Sequence, residues 1–195
     1  MTKVLVVSNY PTEGRAGVLE KCFQTNGATV TTIEWRESSA AKFDSFDGVV
    51  LSGSPEMMTD TGTRAKYRVE AQAILDSRAP ILGICFGHQL MAHAYGAEVV
   101  KDKKHVLEMV NTAVMRDDPL FGGLSRSLKL FESRYEVVKE VPEGFILLAR
   151  SDTSAVAAMK HKARTLYGVQ FHPEGFTPAN PDGDRVVANF IGLLK

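Results

Sequence analysis

Cysteine is scarce in this sequence: its 195 residues include two, Cys22 and Cys85. So few exclude a disulfide-built scaffold and leave either thiol free for chemistry. Charge of one sign is lacking as well, since 23 lysines and arginines balance 23 acidic residues for a formal net charge of zero. A surface that neutralises phosphates carries a basic excess, so no nucleic-acid partner is expected. No apolar run approaches the roughly 18 residues of a membrane-spanning helix, so no membrane partner is expected either. Met1 to Val7 runs from one lysine into a short apolar stretch without a small-residue cleavage site, and reads as a first strand instead of a signal peptide. A cytoplasmic location follows as the expectation. Repeats, low-complexity tracts and linkers are missing too, and 44% hydrophobic with 24% charged residues describes a single domain over 1–195.

What is present is an alternation of short apolar runs and helical patterns. Lys3–Ser8 reads as a strand, followed by Val18, Leu19, Cys22 and Phe23 at helical spacing. Thr29–Glu34, Gly48–Leu51 and Ile81–Ile84 read as further strands, with a helical stretch opening near Thr63 and ending near Ile74 and Leu75. Strands apolar on both faces and separated by helices indicate a parallel sheet covered on each side. After Gly96 the pattern changes to strands at 97–100, 110–115, 128–131, 145–148, 156–159 and 166–170, with mostly polar connections. Helix returns at 184–194. The expected fold is α/β, a doubly wound, mostly parallel sheet with helices on both faces and an antiparallel extension.

The most informative tract is PILGICFGHQLMAHAYG, residues 80–96. An apolar strand ends in Gly83-Ile84-Cys85-Phe86-Gly87 and a helical pattern begins at once. This Gly-x-nucleophile-x-Gly turn matches a strand-to-helix elbow in which small flanking residues lift the nucleophile above the sheet. A helix N-terminus also favours the thiolate. A small buried hydrophobe in a tight helix–sheet contact accounts equally well for the pentapeptide alone. Residues 167–174, YGVQFHPE, supply what an activated cysteine needs: His172 as general base at a strand end, and Glu174 two residues on to accept the Nδ1 proton. Pro173 holds His172 extended, so both side chains can project to one side; a surface His-Pro-Glu turn is the plain alternative. Leu51-Ser52-Gly53-Ser54-Pro55 follows another strand. Carboxyl ends of neighbouring parallel strands open onto one crevice, so its Ser54 or Gly53 N–H can join Phe86 N–H as an oxyanion hole. As a bare sequence it also reads as an ordinary turn.

GICFGHQ, FHPE and SGSP, spread over much of the chain, resemble the class I glutamine amidotransferase family. The resemblance implies a flavodoxin-like sheet and a Cys-His-Glu triad that attacks the glutamine side-chain amide, forms a glutamyl thioester, and releases ammonia and then glutamate. Carried over, Cys85 is the nucleophile, His172 the base, Glu174 its orienter, and Gln89 a substrate-binding residue. Over roughly the C-terminal 60%, the tracts Leu130-Phe131-Glu132-Ser133, Leu148-Ala149-Arg150-Ser151 and Ala158-Met159-Lys160-His161 resemble the family's separate glutaminase subunits of GMP synthase. That implies glutamine as substrate, no cofactor, and an ATP-dependent synthetase partner on another chain, a GMP synthetase that aminates XMP.

Three departures stand against this pattern. Gly53-Ser54-Pro55 replaces Gly-Gly-Pro, Asn9-Tyr10-Pro11-Thr12-Glu13 replaces Gly-Gly-Gln, and Arg134 and Glu136 stand where histidine and aspartate follow Glu-Ser. They leave open another synthetase and a stand-alone γ-glutamyl peptide hydrolase; a non-catalytic binding module of the same fold is a separate alternative, and the intact Cys85, His172 and Glu174 argue against it. His88 and His93, five apart, lack the i, i+4 offset of a shared metal face, so no metal is expected. Lys101 to His105 reads as a solvated basic loop or a docking surface. Met57, Met58, Met91 and Cys22 read as packing residues.

Overall fold

The computed structural model describes residues 1–12 and 16–194; Glu13, in the tract after the first strand, lies outside them. The elements in chain order are β1 (Lys3–Ser8), α1 (Gly17–Thr25), β2 (Thr29–Glu34), α2 (Ala40–Phe43), β3 (Gly48–Leu51), α3 (Thr61–Lys66), α4 (Arg68–Asp76), β4 (Ile81–Ile84), α5 (Phe86–Ala94), β5 (Val99–Val114), β6 (Ser127–Val138), β7 (Phe145–Ser151), β8 (Ala158–His161), β9 (Leu166–Val169) and α6 (Asp182–Gly192). One sheet joins these strands in the order β2-β1-β3-β4-β9-β8-β7-β5-β6. β2, β1, β3, β4 and β9 are parallel to one another. β8, β7, β5 and β6 continue the sheet antiparallel.

The alternation of side chains along each strand sorts the core into two layers. Val4, Val6, Val50, Leu82 and Ile84 pack with Leu19 and Phe23 of α1 and Val186 and Phe190 of α6. Leu5, Val7, Val49, Leu51 and Ile81 face the opposite way, onto Phe43, Ile74, Phe86 and Leu90. The centre of the parallel half therefore has no solvent face, and β3 and β4 are buried at every position. This is the doubly wound sheet with antiparallel extension that the patterning predicts.

Three local expectations are corrected. Residues 97–100 and 110–115 do not form two strands: Val99 to Val114 is one long strand, β5, and Lys101 to His105 is no separate loop. Lys101 pairs with Glu136 and Val106 with Arg134, so Asp102–His105 forms a bulge opposite Tyr135. β6 runs beyond residue 131 to Val138 because its buried face continues through Glu132, Arg134 and Glu136, which hydrophobic periodicity cannot register. Arg134 Nε donates to Glu132 Oε2 at 2.7 Å, Nη1 to Asp102 Oδ2 at 2.6 Å and Nη2 to Thr153 O at 2.7 Å. The stretch from Thr63 to Leu75 is two helices that meet at Tyr67, whose φ of −91° and ψ of 11° interrupt the helix.

Candidate active site

The carboxyl ends of β1, β3, β4 and β9 lie side by side, so the segments that follow them open on one crevice. After β4 the chain turns into α5 at Cys85, whose φ of 50° and ψ of −100° make it the one non-glycine with positive φ among the described residues. The turn needs its glycines. A Cβ on Gly83 would lie 2.6 Å from Gly87 O, and one on Gly87 would lie 2.5 Å from Leu51 O, so α5 packs against β4 and β3 only without side chains there. Cys85 Sγ approaches Ser133 O at 3.5 Å. Phe86 N–H is the first amide of α5, where no helical carbonyl precedes it. The Phe86 ring packs on Tyr67 at 4.7 Å, so its side chain belongs to the core.

β9 delivers the second group. His172 N–H donates to Phe131 O at 2.7 Å, and Pro173 opens a short 3-10 turn, Pro173–Gly175. That turn brings Glu174 Oε1 to 2.7 Å from His172 Nδ1, with both side chains 12% exposed. Burial alone pushes His172 down, but Glu174 and then Cys85 outweigh it through charge and hydrogen bonding, and its pKa stands well above the ordinary imidazole value. An imidazole held by a carboxylate at Nδ1 presents Nε2 to a reacting atom.

β3 supplies the third piece. A Cβ on Gly53 would meet His172 Cε1 at 2.8 Å, so this glycine is the floor on which the imidazole rests. Gly53→Ala is expected to displace the ring and lower turnover by about 10²-fold or more, with the fold retained; steady-state kinetics beside thermal melts would check it. Ser54, which stands where the family has glycine, uses its Oγ to accept the Glu56 N–H at 3.1 Å and so closes its own turn. Gln89 Nε2 donates to Glu136 O at 2.9 Å and to Gln170 Oε1 at 3.3 Å. Cys85, His172, Ser54, Gln89, Tyr135 and His105 line one cavity of about 200 Å³.

Several residues here escape sequence reading. The Glu136 carboxylate accepts the Met58 N–H at 2.6 Å and the Thr59 N–H at 3.0 Å, tying the loop after Pro55 to β6. Met57, expected only to pack, lines the cavity, whereas Met58 and Met91 are core residues. Cys22 is buried, and burial pushes its thiol up to about 12, which disfavours the thiolate. His88 is buried against Gly168 and is driven down to about 3 by burial, so it stays neutral.

Glu70 on α4 is fully buried, and burial pushes it up to about 8 from 4.5 although the Asn9 hydrogen bond acts the other way. The native state thus holds a proton that the unfolded chain releases. Its contribution to stability is complete below about pH 4.5, is lost as pH rises to about 8, and is constant above. Glu70→Gln is expected to gain stability over the parent by a few kcal/mol between pH 5 and 8.5, which urea midpoints at the two pH values would measure.

The Glutamine amidotransferase class-I family matches residues 15–193. The glutamine-hydrolysing GMP synthase subunit of Archaeoglobus fulgidus is 33% identical over 193 residues, 99% of each chain. The Thermococcus kodakarensis protein of the same name is 43% identical over 152 residues, 75% of this chain and 77% of that one. A crystal structure from Thermoplasma acidophilum, provisionally assigned to a subunit of GMP synthase, superposes with a TM-score of 0.86 at 30% identity, covering 100% of this chain and 94% of that chain. Among the described residues no helix is long and apolar enough to cross a membrane. With a cysteine elbow facing a histidine–glutamate pair on this sheet, and with the family match running through nearly the whole sequence, the chain belongs to the class I glutamine amidotransferases.

Proposed function

We propose that this protein is the glutamine-hydrolysing subunit of a two-chain GMP synthase, passing ammonia to an ATP-dependent synthetase that aminates XMP. The observation that carries the reading is the 2.7 Å His172–Glu174 pair set against Cys85 on a sharp elbow inside one cavity. Cys85 Sγ attacks the glutamine Cδ as thiolate, and the C=O π bond opens to an oxyanion held by Phe86 N–H and Ser54 N–H, with Gly53 N–H the other candidate. His172 Nε2 gives its proton to the leaving nitrogen, the C–N bond breaks, and ammonia departs from a glutamyl thioester. Water then gives a proton to His172 and its oxygen attacks the thioester, which collapses to glutamate and restores the thiolate. Glu174 holds the imidazole tautomer throughout. Gln89, anchored from two sides in the cavity wall, orients the substrate. None of these steps calls for a cofactor. The chain works as one domain over 1–195 in the cytoplasm, where its synthetase would meet it. Ammonia protonates readily in water, so a synthetase seated over the cavity mouth would receive it shielded.

Glutamate release from glutamine by the purified chain, with and without a GMP synthetase subunit, tests this. Turnover is expected to rise with the synthetase and to fall about 10²–10⁴-fold in His172→Ala. Turnover indifferent to the synthetase but rapid on γ-glutamyl peptides would reject the acceptor and favour a stand-alone hydrolase. Turnover unaffected by His172→Ala would reject the triad.

A further inference from the structure

Gly53 carries no side chain, so its backbone samples more orientations than any other residue's, and a peptide meant to aim an N–H at an oxyanion needs an external restraint. The structure holds one directly behind it. Ser52, Asn9 and Glu70 come from three separate segments, after β3, after β1 and within α4, and are 1%, 0% and 0% exposed. Asn9 N–H donates to Ser52 Oγ at 2.9 Å, and Ser52 Oγ lies 2.9 Å from Gly53 O. The direction of this chain is forced, because an amide N–H only donates and a carbonyl oxygen only accepts; the serine hydroxyl must give its proton to Gly53 O.

The Asn9 side chain is held in turn. Its Nδ2 donates both hydrogens, to Ser52 O and to Glu70 Oε1, each at 3.2 Å. Tyr67 Oη donates to Asn9 O at 2.8 Å and fixes the backbone on the other side. Asn9 Oδ1 and Glu70 Oε2 have no partner among the described residues, so the cluster is costly to bury for a fold that needs only packing at this point.

We infer that Ser52, Asn9 and Glu70 form a positioning relay that sets the Gly53–Ser54 peptide in its oxyanion-binding orientation. This rests on the glutaminase reading above. The described peptides are all trans, so Gly53 C=O and Ser54 N–H point in opposite directions from one plane. Holding the oxygen toward buried Ser52 turns the N–H toward the cavity that Ser54 lines. The relay touches no substrate; its action is entirely through the orientation of that amide.

The test separates oxyanion stabilisation from nucleophile activation in the full-length chain. Ser52→Ala is expected to lower kcat for glutamine about 10²-fold with KM little changed. Alkylation of Cys85 by iodoacetamide, which develops no oxyanion, should keep the parent rate. Ser52→Thr retains the hydroxyl and should restore kcat. Glu70→Gln keeps an acceptor for Asn9 and should retain kcat, whereas Glu70→Leu should lower it, with thermal melts confirming that each variant is folded. An unchanged kcat in Ser52→Ala, or equal losses of kcat and alkylation rate, would overturn the relay while leaving the parent's activity in place. A parent enzyme with no Cys85-dependent glutamate release would instead overturn the glutaminase reading, and the relay with it.

Discussion

Cys85→Gly and Cys85→Ala are both expected to lose glutamate release entirely, while the glycine variant unfolds at the higher denaturant concentration. Glycine in place of alanine ordinarily destabilises by about 0.4–1 kcal/mol through the entropy of the unfolded chain. Here the order should reverse. With φ at 50° and ψ at −100°, Cys85 sits outside the usual regions for a residue with a Cβ, and such backbone strain costs on the order of 1–3 kcal/mol. Alanine keeps that strain and glycine removes it, so the glycine variant should be more stable than the alanine variant by about 1 kcal/mol. Removing a triad nucleophile costs about 10⁶ in kcat elsewhere, which would leave glutamate release at background. Urea unfolding and a glutamate assay on the pair check both halves. A glycine variant less stable than the alanine one would show an unstrained elbow, and residual turnover in either would remove Cys85 from the mechanism.

Arg134→Met carries the largest expected cost in stability. The guanidinium is 1% exposed at its side chain and is bonded to Glu132, itself 0% exposed, and to Asp102. Ser151 Oγ and Thr153 Oγ1 also donate to the Glu132 carboxylate, at 2.8 and 2.9 Å. Without Arg134 two hydroxyls remain to hold a buried anion, and breaking such a pair from one side costs about 3–5 kcal/mol. At this chain length that is a fall of roughly 10 °C in Tm. Arg134→Met combined with Glu132→Leu removes both charges and should recover most of the loss. Failure of the double variant to recover would place the cost in packing instead. Because Nη1 also grips Asp102 in the β5 bulge, the single variant should loosen His105 and Tyr135, stacked at 4.1 Å on the cavity rim.

This cluster also shows where sequence reading stops. β1, β3 and β4 were legible residue for residue because both their faces are apolar, and an uninterrupted hydrophobic run needs no knowledge of its neighbours. β6 was legible only to residue 131, since Glu132, Arg134 and Glu136 read as solvent-facing until their partners are known. Those partners are Asp102 and Thr153 for Arg134, and Met58 and Thr59 for Glu136, distant in the chain and joined only by the fold. The same holds for Lys101 to His105: nothing local says that its charges ride on a bulge beside the cavity. Arg134 and Glu136, departures when read as sequence, are structural in the fold, their charged groups paired with protein partners.

The candidate site divides along the same line. Cys85 between Gly83 and Gly87, His172 with Glu174 across Pro173, and the Ser52–Pro55 turn are each short, local patterns whose chemistry follows from backbone constraints a few residues long. The sequence by itself therefore determined the fold class and the family, and it named the residues proposed as the triad. Tertiary structure alone decided that Gly53 must lack a side chain because His172 rests on it, that Gln89 is anchored through Glu136 and Gln170, and that Ser52, Asn9 and Glu70 stand in line behind the Gly53–Ser54 peptide. The reason is that hydrogen bonds and close contacts between distant segments depend on distances within a few tenths of an ångström, which strand order and packing fix and no local pattern encodes.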